Sequence, residues 1–210
     1  MNARPSERLI DIDRALRLEW LTLGWMVVEA VVAIGAGVVA HSLALEAFGL
    51  DSVIELASAV VLIWRLRVEL KQGATFPPGI ERSAARVGGV LLFALTTYVI
   101  AGSVRALWMH QAQATSVPGL VVTGVAVPAM YLLARTKLTL ADRLHSAALR
   151  ADAVESLTCG YLSVVVFLSL LAQWWLGMWW LAGVSALVLV PFLLHEAREA
   201  WTGDACCVDD

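Results

Sequence analysis

Five carboxylic acids stand where charge is expensive: Glu29, Asp51, Glu55, Asp152 and Glu155 all lie inside long apolar runs. A charge at the centre of a membrane helix costs about 2.5–3.5 kcal/mol on insertion scales. Asp51 and Glu55 are four residues apart, and so are Glu155 and Cys159. Each pair therefore shares one face of a helix. Counted along the helix, Asp51 and Glu55 lie about 12–18 Å into their run, and Glu155 and Cys159 lie about 17–23 Å in from the opposite side. Across a core of ~30 Å both pairs reach the middle. Two helices then offer two ligands each, enough for a tetrahedral cation site. The alternative for the acids is helix–helix hydrogen bonding by protonated carboxyls; for Cys159 it is a small core residue.

The elements that must position these groups are membrane helices. The chain has 210 residues, of which 60 % are hydrophobic and 16 % charged, and its mean hydropathy is +0.76. A soluble domain carries roughly 25 % charged residues. From Ser156 to Leu194 there is no charged residue, while a spanning helix needs about 20 apolar ones. These numbers exclude a large soluble domain. A net charge of −3 excludes a nucleic-acid binder.

The pattern predicts an all-α integral membrane protein with six spans, at 19–40, 43–65, 86–109, 117–134, 144–172 and 176–196. Gly73, Pro77, Pro78 and Gly79 separate the second from the third, and Gln111–Ser116 the third from the fourth. A cytoplasmic segment 1–18, a transport domain 19–200 and a Cys-containing tail 201–210 complete the division. The first run is too long for a signal-peptide core. The spans contain no Lys on this reading. Arg150 sits close enough to an interface to extend its head to water. The acids therefore need protons, a metal ion or both as counter-charge.

Arg4, Arg8, Arg14 and Arg17 precede the first span; Arg65, Arg67, Lys71, Arg82 and Arg86 flank the second loop; Arg135, Lys137 and Arg143 flank the fourth. The other loops lack Lys and Arg, so both termini are expected in the cytoplasm. Nine Trp suit interfacial belts. Cys159, Cys206 and Cys207 make no disulfide framework.

The second and fifth spans share a sequence: residues 41–61 read HSLALEAFGLDSVIELASAVV and residues 145–165 read HSAALRADAVESLTCGYLSVV. His41 aligns with His145, Ser42 with Ser146, Ser52 with Ser156, Asp51 with Glu155 and Glu55 with Cys159. Three spans separate equivalent positions, so the halves run in opposite directions. A 3+3 inverted repeat is a common construction for secondary transporters with a midplane site. The two His start their helices near opposite faces and read as interfacial polar groups. Glu29 reads as pathway-lining. Asp152, one turn nearer the cytoplasm than Glu155, reads as an inner gate or relay.

At these residues the chain resembles the cation diffusion facilitator (cation efflux) superfamily. That family carries a pattern like S-[LA]-A-L-x-A-D-A-x-[HD]-x-x-x-D on its second and fifth spans. Ser42-Leu43-Ala44-Leu45 with Asp51 and Glu55 matches it, as does Ser146-Ala147-Ala148-Leu149 with Ala151-Asp152-Ala153, Glu155 and Cys159. The resemblance implies a proton-coupled exporter of divalent metals, commonly zinc, usually a homodimer, in the plasma or inner membrane. It places the transport site at Asp51, Glu55, Glu155 and Cys159. The chain departs from the family in carrying Glu and Cys where Asp and His are usual, in Phe48 where an Asp is usual, and in lacking the His-rich loop. It is expected to be a compact, divergent member without the cytoplasmic metal-sensing domain.

Metal binding requires deprotonated ligands, so one buried site holds either a divalent cation or protons, and rocking between two open states then gives exchange. The metal is substrate, with no permanently bound cofactor. Carboxylates suit Mn²⁺ or Fe²⁺ and a thiolate draws Zn²⁺, Co²⁺ or Cd²⁺; zinc or a similar ion is expected. The partners are divalent metal ions, protons, the lipid bilayer and a second copy of the chain. The chain is not expected to be an enzyme: a membrane thiol oxidoreductase needs a C-x-x-C or quinone-facing dithiol that the sequence lacks. A non-transporting scaffold or modulator with the same fold would tolerate neutralisation of the acids. A carrier of an organic substrate would show a larger cavity and no response to metal.

Overall fold

The computed structural model describes residues 5–72, 78–110, 114, 116–144, 146–177 and 180–202. The elements are α1 (Pro5–Ala40), α2 (Leu43–Gln72), α3 (Pro78–Trp108), α4 (Val117–Leu144), α5 (Ala147–Leu176) and α6 (Leu181–Thr202). The all-helical expectation holds, and no strand occurs among the described residues. Stretches long and apolar enough to cross a bilayer are Ile10–Ala40, Leu43–Val68, Gly89–Trp108, Val117–Leu144 and Asp152–Leu176; α6 carries a shorter one, Gly183–His195. Apolar side chains point both ways. Ala33, Ala126 and Val166 sit in the core while Val31, Val39, Leu132 and Leu168 face outward. A helix apolar all round is one that meets hydrocarbon on its outer side.

Local chemistry sets the helix ends. Two residues, His41 and Ser42, join α1 to α2. His41 takes a left-handed φ of 55°. Its N–H donates to the Val38 carbonyl at 3.3 Å, and the Ser42 N–H donates to the Gly37 carbonyl at 2.8 Å. This pair of bonds closes a Schellman end and forces the chain back on itself. Ser146 caps α5, its Oγ accepting the Leu149 N–H at 3.3 Å. Gly177, at φ 61°, ends it. His145 lies outside the described residues.

Helices α1 and α2 then pack backbone to backbone. A β-carbon added at Gly49 would lie 2.9 Å from the backbone nitrogen of Ile34 and 3.0 Å from the Ala33 Cβ. Small residues at such crossings let membrane helices approach. Gly49→Leu should therefore force the pair apart, at a cost of about 1–3 kcal/mol or more, read as a lowered unfolding midpoint in detergent.

The main core runs through all six helices, with Met26, Phe48, Val99, Met130, Leu162, Leu189 and Leu193 buried in it. A second, smaller core joins Ile12 and Ala15 of α1, Leu62 and Leu66 of α2, Leu140, Ala141 and Leu144 of α4, and Leu149 of α5. This second core explains why α4 continues beyond 134, where its span was expected to end. Ala134, Lys137, Ala141 and Leu144 extend its buried face at helical spacing. The expectation that no Lys occurs in a span is thereby corrected: Lys137 lies inside the apolar stretch Val117–Leu144 and is fully buried.

Trp20, Trp64, Trp108, Trp174, Trp175, Trp180 and Trp201 are exposed, as interfacial belts require. Trp25 is not one of them. It is half-buried and hydrogen-bonded to Glu29. Trp179, Cys206 and Cys207 lie outside the described residues.

Candidate cation site

The helical spacing puts Asp51 and Glu55 on one face of α2, and that face is the buried one: the two side chains are 1 % and 3 % exposed. Opposite them, α1 presents Glu29, fully buried. Its Oε1 accepts the Ser52 hydroxyl at 2.7 Å and its Oε2 accepts the Trp25 indole N–H at 2.7 Å. From α5, the Cys159 thiol reaches the same Oε1 at 3.5 Å. Three helices thus meet at one carboxylate. Cys159 is also within Coulombic reach of Glu55 and Asp51. Neither carboxylate oxygen of Asp51 accepts a hydrogen bond from the described residues. A buried carboxylate without donors is costly unless a proton or cation satisfies it.

Glu155 sits on α5 one turn before Cys159 and is half-buried. It lies within Coulombic reach of Asp51, Asp152, Lys137 and Glu19. Asp51, Glu55 and Cys159 are thus buried, while Glu155 is half-buried. They do not close into a shell: among the described residues no three His, Cys, Asp or Glu side chains are grouped closely enough to hold a metal ion.

Asp152 differs from its expected setting. The acids were expected to lack basic partners, yet Lys137 of α4 pairs directly with Asp152. The same ammonium donates to Glu19 Oε2 of α1 at 3.2 Å and to Ser156 Oγ of α5 at 3.3 Å. Glu19 and Lys137 are both fully buried, and Glu19 Oε1 has no hydrogen-bond partner among the described residues. Sequence reasoning missed Glu19, Lys137, Ser52 and the Trp25–Glu29 bond. One signal for Lys137 was present: it falls on the stripe of buried positions Ala134, Ala141 and Leu144.

Glu46, near the start of α2, accepts the Tyr98 hydroxyl of α3 at 2.5 Å. Arg150 pairs with Asp142, both exposed, which agrees with an interfacial place for Arg150.

No curated protein matches the chain. A family model, the cation efflux transmembrane domain, matches residues 20–202. That match runs from α1 to the end of α6 and takes in Glu29, Asp51, Glu55, Asp152 and Glu155, starting one residue after Glu19. The chain belongs to the cation efflux (cation diffusion facilitator) family, the multi-pass membrane transporters of metal cations.

Proposed function

We propose that this protein exports a divalent transition-metal cation, Zn²⁺ or a similar ion, in exchange for protons, and that Asp51, Glu55, Glu155 and Cys159 form its transport site. The observation that carries this reading is the donor-free, buried carboxylate of Asp51 beside Glu29, Glu55 and Cys159. Such a group is stable with a proton or a cation on it and unstable with neither. Since a ligand must lose its proton to bind metal, proton and metal exclude one another there. Glu29 lines the pathway and holds Cys159 and Ser52 in place; Asp152 stands at the inner end.

Six spans and an inverted repeat belong to the same proposal. Helix α1 packs on α2 as α4 packs on α5, and α2 touches α3 as α5 touches α6. Equivalent serines act alike: Ser52 of α2 bonds to a charged group on α1, and Ser156 of α5 to one on α4. Arg14 and Arg17 of α1 and Arg135 and Arg143 of α4 line one cleft. We assign that end to the cytoplasm by the excess of basic residues, which sets both termini inside the cell membrane. A homodimer is proposed from the family alone.

The test is flux. In proteoliposomes loaded with a metal-sensitive dye, Zn²⁺ movement should accelerate when a pH gradient drives protons the opposite way, and a protonophore should remove that acceleration. Zn²⁺, Co²⁺ and Mn²⁺ flux that ignores the gradient overturns proton exchange. No flux of any of them overturns the carrier and favours the scaffold.

A further inference from the structure

We propose a second cation station, formed by Glu19 of α1 with Asp152 and Ser156 of α5, which Lys137 fills with its own ammonium until a transported cation displaces it. The inference rests on the transport reading above and extends it to groups outside the transport site.

The station is a built one. Lys137 Nζ is surrounded by oxygens from two other helices: Glu19 Oε2 at 3.2 Å, Ser156 Oγ at 3.3 Å and Asp152 Oδ2. Two carboxylates and one ammonium leave an acid in excess. That excess is visible as Glu19 Oε1, buried and without a hydrogen-bond partner among the described residues. A divalent cation in place of the ammonium would balance both carboxylates. The ammonium sits at the end of a flexible four-carbon stem, so it can leave without moving α4.

Position gives the station a task. Along α5, Asp152 precedes Glu155 by three residues and Cys159 follows it by four, and along α1 Glu19 precedes Glu29 by ten, so the station lies toward the N-terminal ends of both helices. With α1 and α4 oriented as proposed, a cation from the cytoplasm meets Glu19 and Asp152 before Glu155 and Asp51. Lys137 then keeps the inner acids neutralised when no cation is present, and its departure makes them available. A tethered ammonium and an incoming cation cannot occupy the same oxygens, so the station empties and refills without exposing a bare pair of buried acids.

Lys71 and Lys137 are the chain's two lysines, so an amine-specific probe reads Lys137 against one internal reference. The full-length protein in nanodiscs is treated with an amine-acylating reagent with and without saturating Zn²⁺, Co²⁺ or Mn²⁺, and each lysine is followed by mass spectrometry. Acylation of Lys137 should rise about tenfold or more with a transported metal as the displaced population grows, while Lys71 stays constant. The rise should persist in Asp51→Asn. In the Glu19→Gln/Asp152→Asn double variant Lys137 should react without metal and show no further rise. A wild-type protein that carries one of these metals across vesicles while Lys137 stays equally protected overturns the station and leaves a static ion pair. A response lost in Asp51→Asn also overturns it, because the cation would then be acting from the transport site. Failure of the transport reading is separate: it is an absence of flux in the wild-type protein.

Discussion

Asp51→Asn should abolish metal-dependent transport while leaving the fold intact. Asn keeps the volume of Asp51 and removes its charge. Because neither Asp51 oxygen holds a hydrogen bond in the described structure, the substitution breaks no internal contact, and the unfolding midpoint should stay or rise. Transport is another matter. Replacing residues that merely support a metal ligand costs about 10–100-fold in affinity or activity, so removal of a ligand carboxylate from the centre of the site should exceed that range. The same change removes a group that must trade a proton for a metal, so metal-driven proton movement should vanish with metal flux. The measurement is initial Zn²⁺, Co²⁺ or Mn²⁺ flux in proteoliposomes of matched protein content, with folding checked by thermal unfolding of the same preparation. Wild-type flux in the folded variant would remove Asp51 from the site and with it the geometry proposed for Glu55, Glu155 and Cys159.

Why Asp51 was legible in the sequence and Lys137 was not is a matter of where each sits along its helix. Glu29, Asp51, Glu55 and Asp152 lie within apolar runs, where insertion cost makes an acid conspicuous, and all four are buried. The i, i+4 spacing fixed the face of α2 that carries Asp51 and Glu55. It could not fix distances between helices, and so it missed that Glu155 is only half-buried and that the ligands stop short of a closed shell. Glu19 and Lys137 stand at the margins of their apolar runs, where charged residues are ordinarily read as interfacial. Their burial goes with the second core, in which α1, α2 and α4 continue to pack beyond the expected span ends and meet the start of α5. Residues 118 positions apart in the chain meet there, and hydropathy along one strand of sequence carries no information about such a meeting. Trp25 is a similar case. Its composition signal was a belt residue, and its hydrogen bond to Glu29 is visible only once α1 is seen with its polar face turned inward.

Lys137→Met should destabilise the protein by about 3–5 kcal/mol, the range found when one partner of a buried ion pair is removed. The reason is the charge left behind. Glu19 is fully buried and Asp152 nearly so, and the ammonium that joins α4 to both is their common counter-ion. Met fills much of the same volume, so packing in the second core is retained and the loss is electrostatic. It follows that the loss should be recoverable without restoring a charge. Lys137→Met combined with Glu19→Gln and Asp152→Asn removes all three charges and should return most of the stability, since replacing an entire buried ion network with neutral groups is often neutral or favourable. Lys137→Arg should fall between the wild type and Met: the charge remains, but a planar guanidinium does not reproduce the three rotatable donors of an ammonium. Thermal unfolding of the four proteins in one detergent gives the order wild type, Lys137→Arg, Lys137→Met, with the triple variant well above Lys137→Met. A single Lys137→Met variant as stable as the wild type would mean that the two acids do not depend on Lys137 for their counter-charge. A triple variant no better than the single one would place the cost in packing rather than in charge.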